Sequence, residues 1–216
     1  MQDDRTRVRR LPERGVFDRE TLDAILDAGS FAHVAFLDGE QPFCIPLLHA
    51  RLGDEVLVHG STASRAFRVL GRGVPTCLTV TLLDGLVLAR TVFEHSANYR
   101  SAILLGSFRR IEEPDAKLAA LEALVERLVP GRWSEAVLPN AQELKATSVL
   151  ALPIAACSAK VRTGPPDADN RPDAGAPWTG VVPVVTRFGT PEPEPGSATT
   201  ASAAVAAQLA RNEDRA

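Results

Sequence analysis

The chain of 216 residues is 45% hydrophobic and 24% charged, a composition that supports one buried core with appendages. Its formal net charge of −3 provides no basic field, so nucleic acid and anionic membranes are not expected partners. The polar N-terminus has no secretory pattern, no run of about 18 apolar residues occurs, and three widely spaced cysteines indicate reduced thiols. We therefore expect a soluble cytoplasmic protein.

A short helix and an antiparallel meander are predicted in the first third of the chain. Asp18 is a typical N-cap residue, and the apolar residues behind it keep helical spacing until Gly29. Asp38-Gly39 between β-rich segments is a strong hairpin signal. The three predicted strands cover residues 31–37, 43–50 and 55–58. No helix separates these strands, which favours antiparallel pairing.

Further strands and two more helices are predicted up to residue 161. A helix covers 63–70, and a second begins at Pro114 and ends before Pro130. The predicted strands are 76–82 and 86–93, joined by a turn at Asp84-Gly85, then 101–111, and finally 148–161 with a bend at Pro153. Six or seven antiparallel strands with two or three covering helices indicate a mainly β (α+β) fold, a closed or nearly closed barrel.

Composition divides the chain into four parts. Residues 1–14 form an N-terminal arm and residues 15–163 the barrel domain. Residues 164–189 form a C-terminal loop whose apolar segment 178–185 is expected to dock on the barrel. The Pro-, Glu- and Ala-rich residues 190–216 predict a disordered tail, with a weak helix possible at 201–210.

One motif carries the chemistry of a phosphate site, the segment His59-Gly60-Ser61-Thr62-Ala63-Ser64-Arg65. It places three hydroxyls and a guanidinium where an apolar strand gives way to a helix. Backbone amides freed by a turn and the positive end of a helix dipole favour an anion there, and Ser64 and Arg65 add charge-assisted hydrogen bonds. An ordinary Ser/Thr cap followed by a solvated arginine is the alternative interpretation.

The sequence resembles the pyridoxamine 5'-phosphate oxidase-like, FMN-binding split-barrel family, within it the branch of the nitroimidazole-resistance proteins. The resemblance runs from about Arg10 to Val185. The segments that carry it are 10–15, 59–65, 80–87, 98–101 and 158–166. It implies a split barrel that binds FMN through Ser64 and Arg65, with Ser61 and Thr62 completing the phosphate shell. Ala66 stands where the oxidases have a lysine.

The resemblance also implies how the flavin ring is held. The strand with Ile45, Pro46 and Leu47 is expected to run along the ring, with backbone groups at Ile45 and Leu47 meeting its polar edge. Ser101 occupies the place where the oxidases direct a polar side chain toward the flavin. Such barrels form homodimers with two flavins at the interface. His59 is the expected proton donor beside the flavin.

These points predict a homodimeric FMN-dependent oxidoreductase that reduces a small nitroaromatic or quinone-like substrate, with a transient electron donor. The alternative is a non-catalytic binding or regulatory module that holds flavin, deazaflavin or haem, which Ala66 favours slightly. No metal site is expected, because the histidines lack the spacing of zinc ligands. Lys160 and Arg162 lie two residues apart on the last strand and could cap an anionic substrate.

Overall fold

The structure is a computed structural model that describes residues 4–168, 177–198 and 200–212. Its strands are β1 (Gly15–Val16), β2 (Phe31–Asp38), β3 (Gln41–Leu52), β4 (Glu55–Ser61), β5 (Pro75–Leu88), β6 (Ser96–Ser107), β7 (Arg109–Arg110), β8 (Thr147–Pro153), β9 (Ala156–Arg162) and β10 (Gly180–Pro183). Its α-helices are α1 (Arg19–Ala28), α2 (Arg65–Leu70), α3 (Pro114–Leu128), α4 (Arg132–Glu135), α5 (Ala141–Ala146) and α6 (Ala203–Ala210).

The strands form an antiparallel sheet in the order β1-β9-β6-β5-β2-β3-β4-β8-β7, with β10 added to β5. β8 and β9 lie near opposite ends of this order yet follow each other in the chain, so the bend after Pro153 brings the sheet round on itself. This architecture confirms the split-barrel prediction. The expected single last strand is two strands, and the expected six or seven become ten because β1, β7 and β10 are short additions.

β3 changes partner along its length, which opens a gap in the barrel wall. Residues 41–48 pair with β2, whereas residues 49–52 pair with β4. β4 then pairs with β8 over its whole length, from Glu55 to Ser61. One edge of β3 therefore has no partner strand over 41–48 in the described part of the sheet.

The predicted turn at Asp84-Gly85 is wrong, and so is the separate strand at 86–93. β5 continues through this dipeptide with a register shift against β6 between Leu83 and Gly85. The Asp84 carboxylate accepts two hydrogen bonds from Arg100 of β6, at 2.7 and 3.0 Å. A Cβ at Gly85 would lie 2.8 Å from Val181 of β10, so glycine serves close strand packing here instead of a turn.

The main core fills the barrel with aliphatic side chains from α1 and the inner faces of the strands. Fully buried examples are Ile25, Leu26, Val34, Leu78, Leu104, Leu150 and Leu152. Asp18 caps α1 as predicted, because its carboxylate accepts the amide of Thr21 at 2.7 Å. A second cluster under α3 includes Leu57, Leu124 and Val149. These two clusters fix β4, the strand that leads to the predicted phosphate motif, from both faces.

Two C-terminal segments contact the rest of the chain. β10 pairs with the end of β5, from Leu86 to Leu88 and at Gly85. Within 190–216, for which composition predicts disorder, α6 forms; Ala204 is buried and its amide donates to Glu135 of α4 at 3.1 Å. Residues 169–176 of the expected loop, and residues 1–3, 199 and 213–216, lie outside the described part. Among the described residues, no helix has the length and apolarity needed to cross a membrane.

Candidate functional site

The loop between β4 and α2 is held by hydrogen bonds within the chain. The Thr62 amide donates to the Ala146 carbonyl at 2.9 Å, and the Ser64 amide donates to the Ser61 carbonyl at 3.0 Å. The Ser61 hydroxyl accepts the Ala63 amide at 3.1 Å. The amides expected to be free at this turn are therefore already bonded, and they give the loop a fixed shape.

Ser64 and Arg65 are two residues of this loop whose side chains remain open. Ser64 is the N-cap residue of α2, and within the described chain its hydroxyl makes no capping hydrogen bond. The Arg65 side chain is 59% exposed, and its nearest carboxylate oxygen, on Asp38, is 3.9 Å away. Its guanidinium stacks 4.1 Å from the centre of the Phe43 ring. A hydroxyl and a positioned guanidinium thus stand together at the gap beside β3.

His59 precedes this loop on β4 and is partly open to solvent. Desolvation by the surrounding protein lowers its pKa, so the ring is neutral at pH 7. Among the described residues neither His59 nor His33, which lies on the outer face of β2, has a hydrogen-bond partner. His49 is buried and donates to the Leu26 carbonyl at 3.0 Å, and the His95 ring accepts the Ala89 amide at 3.3 Å. Two imidazoles are therefore available for binding.

The side chains of Ile45 and Leu47 point inward and pack against the main core, while Pro46 is exposed. Two-residue turns flank β3 at 39–40 and 53–54, and the residues that close such a turn form a hydrogen-bonded pair. The backbone of Gln41 is therefore hydrogen-bonded to β2, and the backbone of Leu52 to β4. Alternation along the ladder then directs the backbone of Ile45 and Leu47 toward β2. The open edge carries the backbone groups of the even-numbered residues Cys44, Pro46 and Leu48, which differs from the expected contacts at Ile45 and Leu47.

Three polar residues of β6 and β9, Ser101, Lys160 and Arg162, form hydrogen bonds within the chain. Ser101 donates its hydroxyl to the Lys160 carbonyl at 3.3 Å, and the Lys160 ammonium donates to the Arg10 carbonyl at 3.1 Å. Arg162 is 4% exposed and bonds Asn98 and the Pro165 carbonyl. Arg162 is thus not available to an anionic substrate. The cysteines are free, and Cys44 lies on the exposed face instead of in the core.

A cleft of about 480 Å³ lies beside the loop, on the side away from β3, and sequence analysis missed it. Thr62 lines it together with residues of β7, β8, α3 and α5. Three cations, Arg110, Lys117 and Lys145, belong to its walls. Lys145 is 28 residues beyond Lys117 in the sequence, and by itself it is indistinguishable from an ordinary exposed helix charge.

A family model described as pyridoxamine 5'-phosphate oxidase matches residues 18–161. The chain belongs to this family. The match covers the barrel from the N-cap of α1 to the end of β9, and so includes the loop with Ser64 and Arg65. No curated protein matches the sequence.

Two solved structures resemble this chain over almost its whole length. A flavocytochrome from Azotobacter vinelandii is 41% identical, with 93% of each chain covered and a TM-score of 0.86. An FAD- and haem-binding protein from Mycobacterium smegmatis is 40% identical, with 91% of this chain and 97% of the other covered and a TM-score of 0.86. A 5-nitroimidazole resistance protein from Bacteroides thetaiotaomicron, 20% identical over 68% of this chain and 86% of its own with a TM-score of 0.58, shares the fold.

Proposed function

We propose that this family member binds a flavin nucleotide and a haem. The observation that carries the proposal is the open Ser64 hydroxyl and Arg65 guanidinium at the gap beside β3, with the free imidazole of His59 just ahead of them. Two proteins about 40% identical over nine tenths of the chain are a flavocytochrome and an FAD- and haem-binding protein, which supports the same pair of cofactors.

The residues present fit a flavin phosphate and ring. Arg65 carries its charge with no carboxylate closer than 3.9 Å, so a phosphate can engage it through two parallel hydrogen bonds. The unpaired β3 edge offers amides at Cys44 and Leu48 and a carbonyl at Pro46, suited to the polar edge of a flat ring. Phe43, under the guanidinium, holds Arg65 in place when the phosphate is bound.

The residues also fit a haem iron at His59. A neutral imidazole with an unbonded ring nitrogen is the form that ligates iron, and the lowered pKa of His59 favours that form. When bound, the haem supplies one-electron and dioxygen chemistry and the flavin supplies hydride and electron transfer. Four points stay predictions. They are the role of His59 as a proton donor, the reduction of a nitroaromatic or quinone-like substrate, FMN or deazaflavin as the cofactor, and a cytoplasmic location.

Titration of the purified full chain with haemin tests the haem assignment. We expect the wild-type chain to shift and sharpen the Soret band at one haem per chain, and His59→Ala to abolish that shift because the ligand is gone. His33→Ala, which also removes an open imidazole, is the matched control and retains the shift. A shift lost in His33→Ala and kept in His59→Ala contradicts the assignment, and an unchanged Soret band in the wild type contradicts haem binding altogether.

We also propose that a second copy of the chain packs on the outer face of the barrel. Phe31 and Leu37 of β2 are 54% exposed and Ile103 of β6 is 40% exposed on this face. The opened β3 edge adjoins it, so a partner would also shield the flavin ring. Light scattering on the purified protein should give twice the 23.1 kDa mass of one chain. Ile103→Glu should shift the measured mass to that of the monomer. A wild-type monomer at micromolar concentration contradicts this proposal.

A further inference from the structure

The cleft beside Thr62 is separate from the proposed flavin site. Its described lining comes from Thr62, β7, β8, α3 and α5 and the residues that adjoin them, and includes no residue of β3 or α2. Ser64, Arg65 and the open edge of β3 therefore have no part in it. A ligand in this cleft has to be recognised by the cleft's own side chains.

The lining concentrates the lysines of the chain. Three of the 24 lysine and arginine residues are lysines, and two of these, Lys117 and Lys145, line the cleft together with Arg110. An ammonium is a compact charge with three donors, which suits an oxyanion of high charge. Glu112 is the carboxylate of the described lining, so three cations and one carboxylate give it a formal charge of +2.

Hydrogen bonds to uncharged groups hold two of these cations in place without neutralising them. Arg110 donates to the carbonyls of Gly71 and Phe67 at 3.1 and 3.4 Å. Lys117 donates to the carbonyls of Leu144 and Thr147 at 3.1 and 2.9 Å, so its third N–H has no acceptor among the described residues. Both side chains are thus positioned in advance and keep donors for a ligand.

Lys145 and Ser148 supply further donors. Lys145 is exposed on α5, and the described chain offers it neither a hydrogen bond nor an ion pair. Ser148 is 4% exposed and lines the cleft; its hydroxyl accepts from Arg110 at 3.5 Å and donates to no group in the described chain. Because buried hydroxyls normally use their proton, an acceptor oxygen in the cleft completes the hydrogen bonding of Ser148.

The cleft also has an apolar wall. Ile111, Pro114, Leu144 and Val149 contribute to the lining, and the volume of about 480 Å³ is in the range of small-molecule sites. A phosphate monoester carries a charge of about −1.5 to −2 at pH 7, which matches the surplus of the lining. A phosphate on a small apolar body therefore fits both the cations and this wall.

We propose that this cleft binds a small organic phosphate monoester, with Lys117, Lys145 and Ser148 as donors to its phosphate. The site is independent of the flavin site and does not rest on the proposed function. Inorganic phosphate shares the charged group but lacks the apolar body, and the test separates the two.

Calorimetric titration of the purified full chain, with flavin in excess so that Ser64 and Arg65 are occupied, tests the assignment. Phenyl phosphate serves as the probe, and we expect one per chain. It should bind roughly tenfold or more tightly than inorganic phosphate, because its ring is buried against the apolar wall. Benzenesulfonate, with the same ring and a single negative charge, should bind roughly tenfold more weakly than phenyl phosphate, because it pairs with fewer of the cations.

Variants place the phosphate within the molecule. Lys145→Gln should weaken phenyl phosphate binding roughly tenfold, the loss expected for one charge-assisted contact, and Lys145→Arg, which keeps the charge, should retain it. Lys160→Gln is the matched control, because it removes the same charge at the lysine outside the cleft, and it should bind as the wild type does. Arg65→Ala should also leave phenyl phosphate binding unchanged.

Three results overturn the inference. The first is a wild-type chain that binds no phenyl phosphate. The second is equal affinity for phenyl phosphate and inorganic phosphate, which shows that the apolar wall takes no part. The third is binding that is lost in Arg65→Ala and kept in Lys145→Gln, which places the phosphate at the flavin loop. A chain that binds phenyl phosphate as expected but no flavin overturns the proposed flavin site and leaves this inference standing.

Discussion

Arg65→Ala is expected to raise the dissociation constant for flavin by roughly tenfold to a hundredfold, because one charge-assisted contact to a phosphate is lost, at about 1.5–3 kcal/mol. The fold should survive. Arg65 is 59% exposed and stacks on Phe43, a contact that contributes about 0.5–1 kcal/mol at an exposed site. Flavin fluorescence titration gives the affinity, and urea unfolding of the cofactor-free chain gives the stability.

Arg72→Ala is the matched control for this prediction. Arg72 is an exposed arginine just after the other end of α2, so its removal changes the net charge equally without touching the start of the helix. We expect wild-type flavin affinity from Arg72→Ala. If the affinity of Arg65→Ala equals that of Arg72→Ala, the phosphate does not lie at Arg65.

Gly60→Ala is expected to destabilise the fold by about 1–3 kcal/mol and to weaken flavin binding strongly. A Cβ at Gly60 would lie 2.4 Å from the Phe67 ring, far inside contact distance. Phe67 is 3% exposed and packed in the main core, so its ring cannot swing aside and α2 has to shift. Because Ser64 and Arg65 begin α2, the shift displaces both flavin contacts together.

Gly189→Ala is the control for a glycine with free space around it. A Cβ there meets no atom within 4 Å, so we expect unfolding free energy within about 0.5 kcal/mol of the wild type. Thermal unfolding and flavin titration of both variants measure the two effects. Flavin affinity in Gly60→Ala that matches the wild type would show that the position of α2 does not govern the site.

The same dipeptide led to one correct and one wrong prediction about the fold. Asp38-Gly39 makes the turn between β2 and β3, where Gly39 has a φ of +63°. Asp84-Gly85 continues a strand, because Asp84 binds Arg100 and Gly85 packs against Val181, nearly one hundred residues away. Local turn propensity is decisive only where no distant strand competes for the same residues. The strands β2 to β4 and the helices α1 to α3 follow local periodicity and were predicted, whereas the short elements β1, β7, α4 and α5 were not.

The candidate site also has one part that the sequence predicts and one part that it does not. A strand, a loop and a helix that follow one another in the chain bring Ser64 and Arg65 to the start of α2, and this arrangement can be recognised in sequence. The cleft cannot, because Lys117 and Lys145 meet only through the packing of α3 and α5. The backbone groups facing the open β3 edge could have been found, since the two flanking turns fix which residues alternate toward it.

The most direct test of a flavin site at this loop is the visible absorption spectrum of the purified full chain, recorded as isolated and after FAD has been added and the excess removed. The account predicts oxidised-flavin bands retained at one flavin per chain, and weaker bands, from less retained flavin, in Arg65→Ala treated in the same way. A colourless wild-type chain that retains no flavin would contradict it.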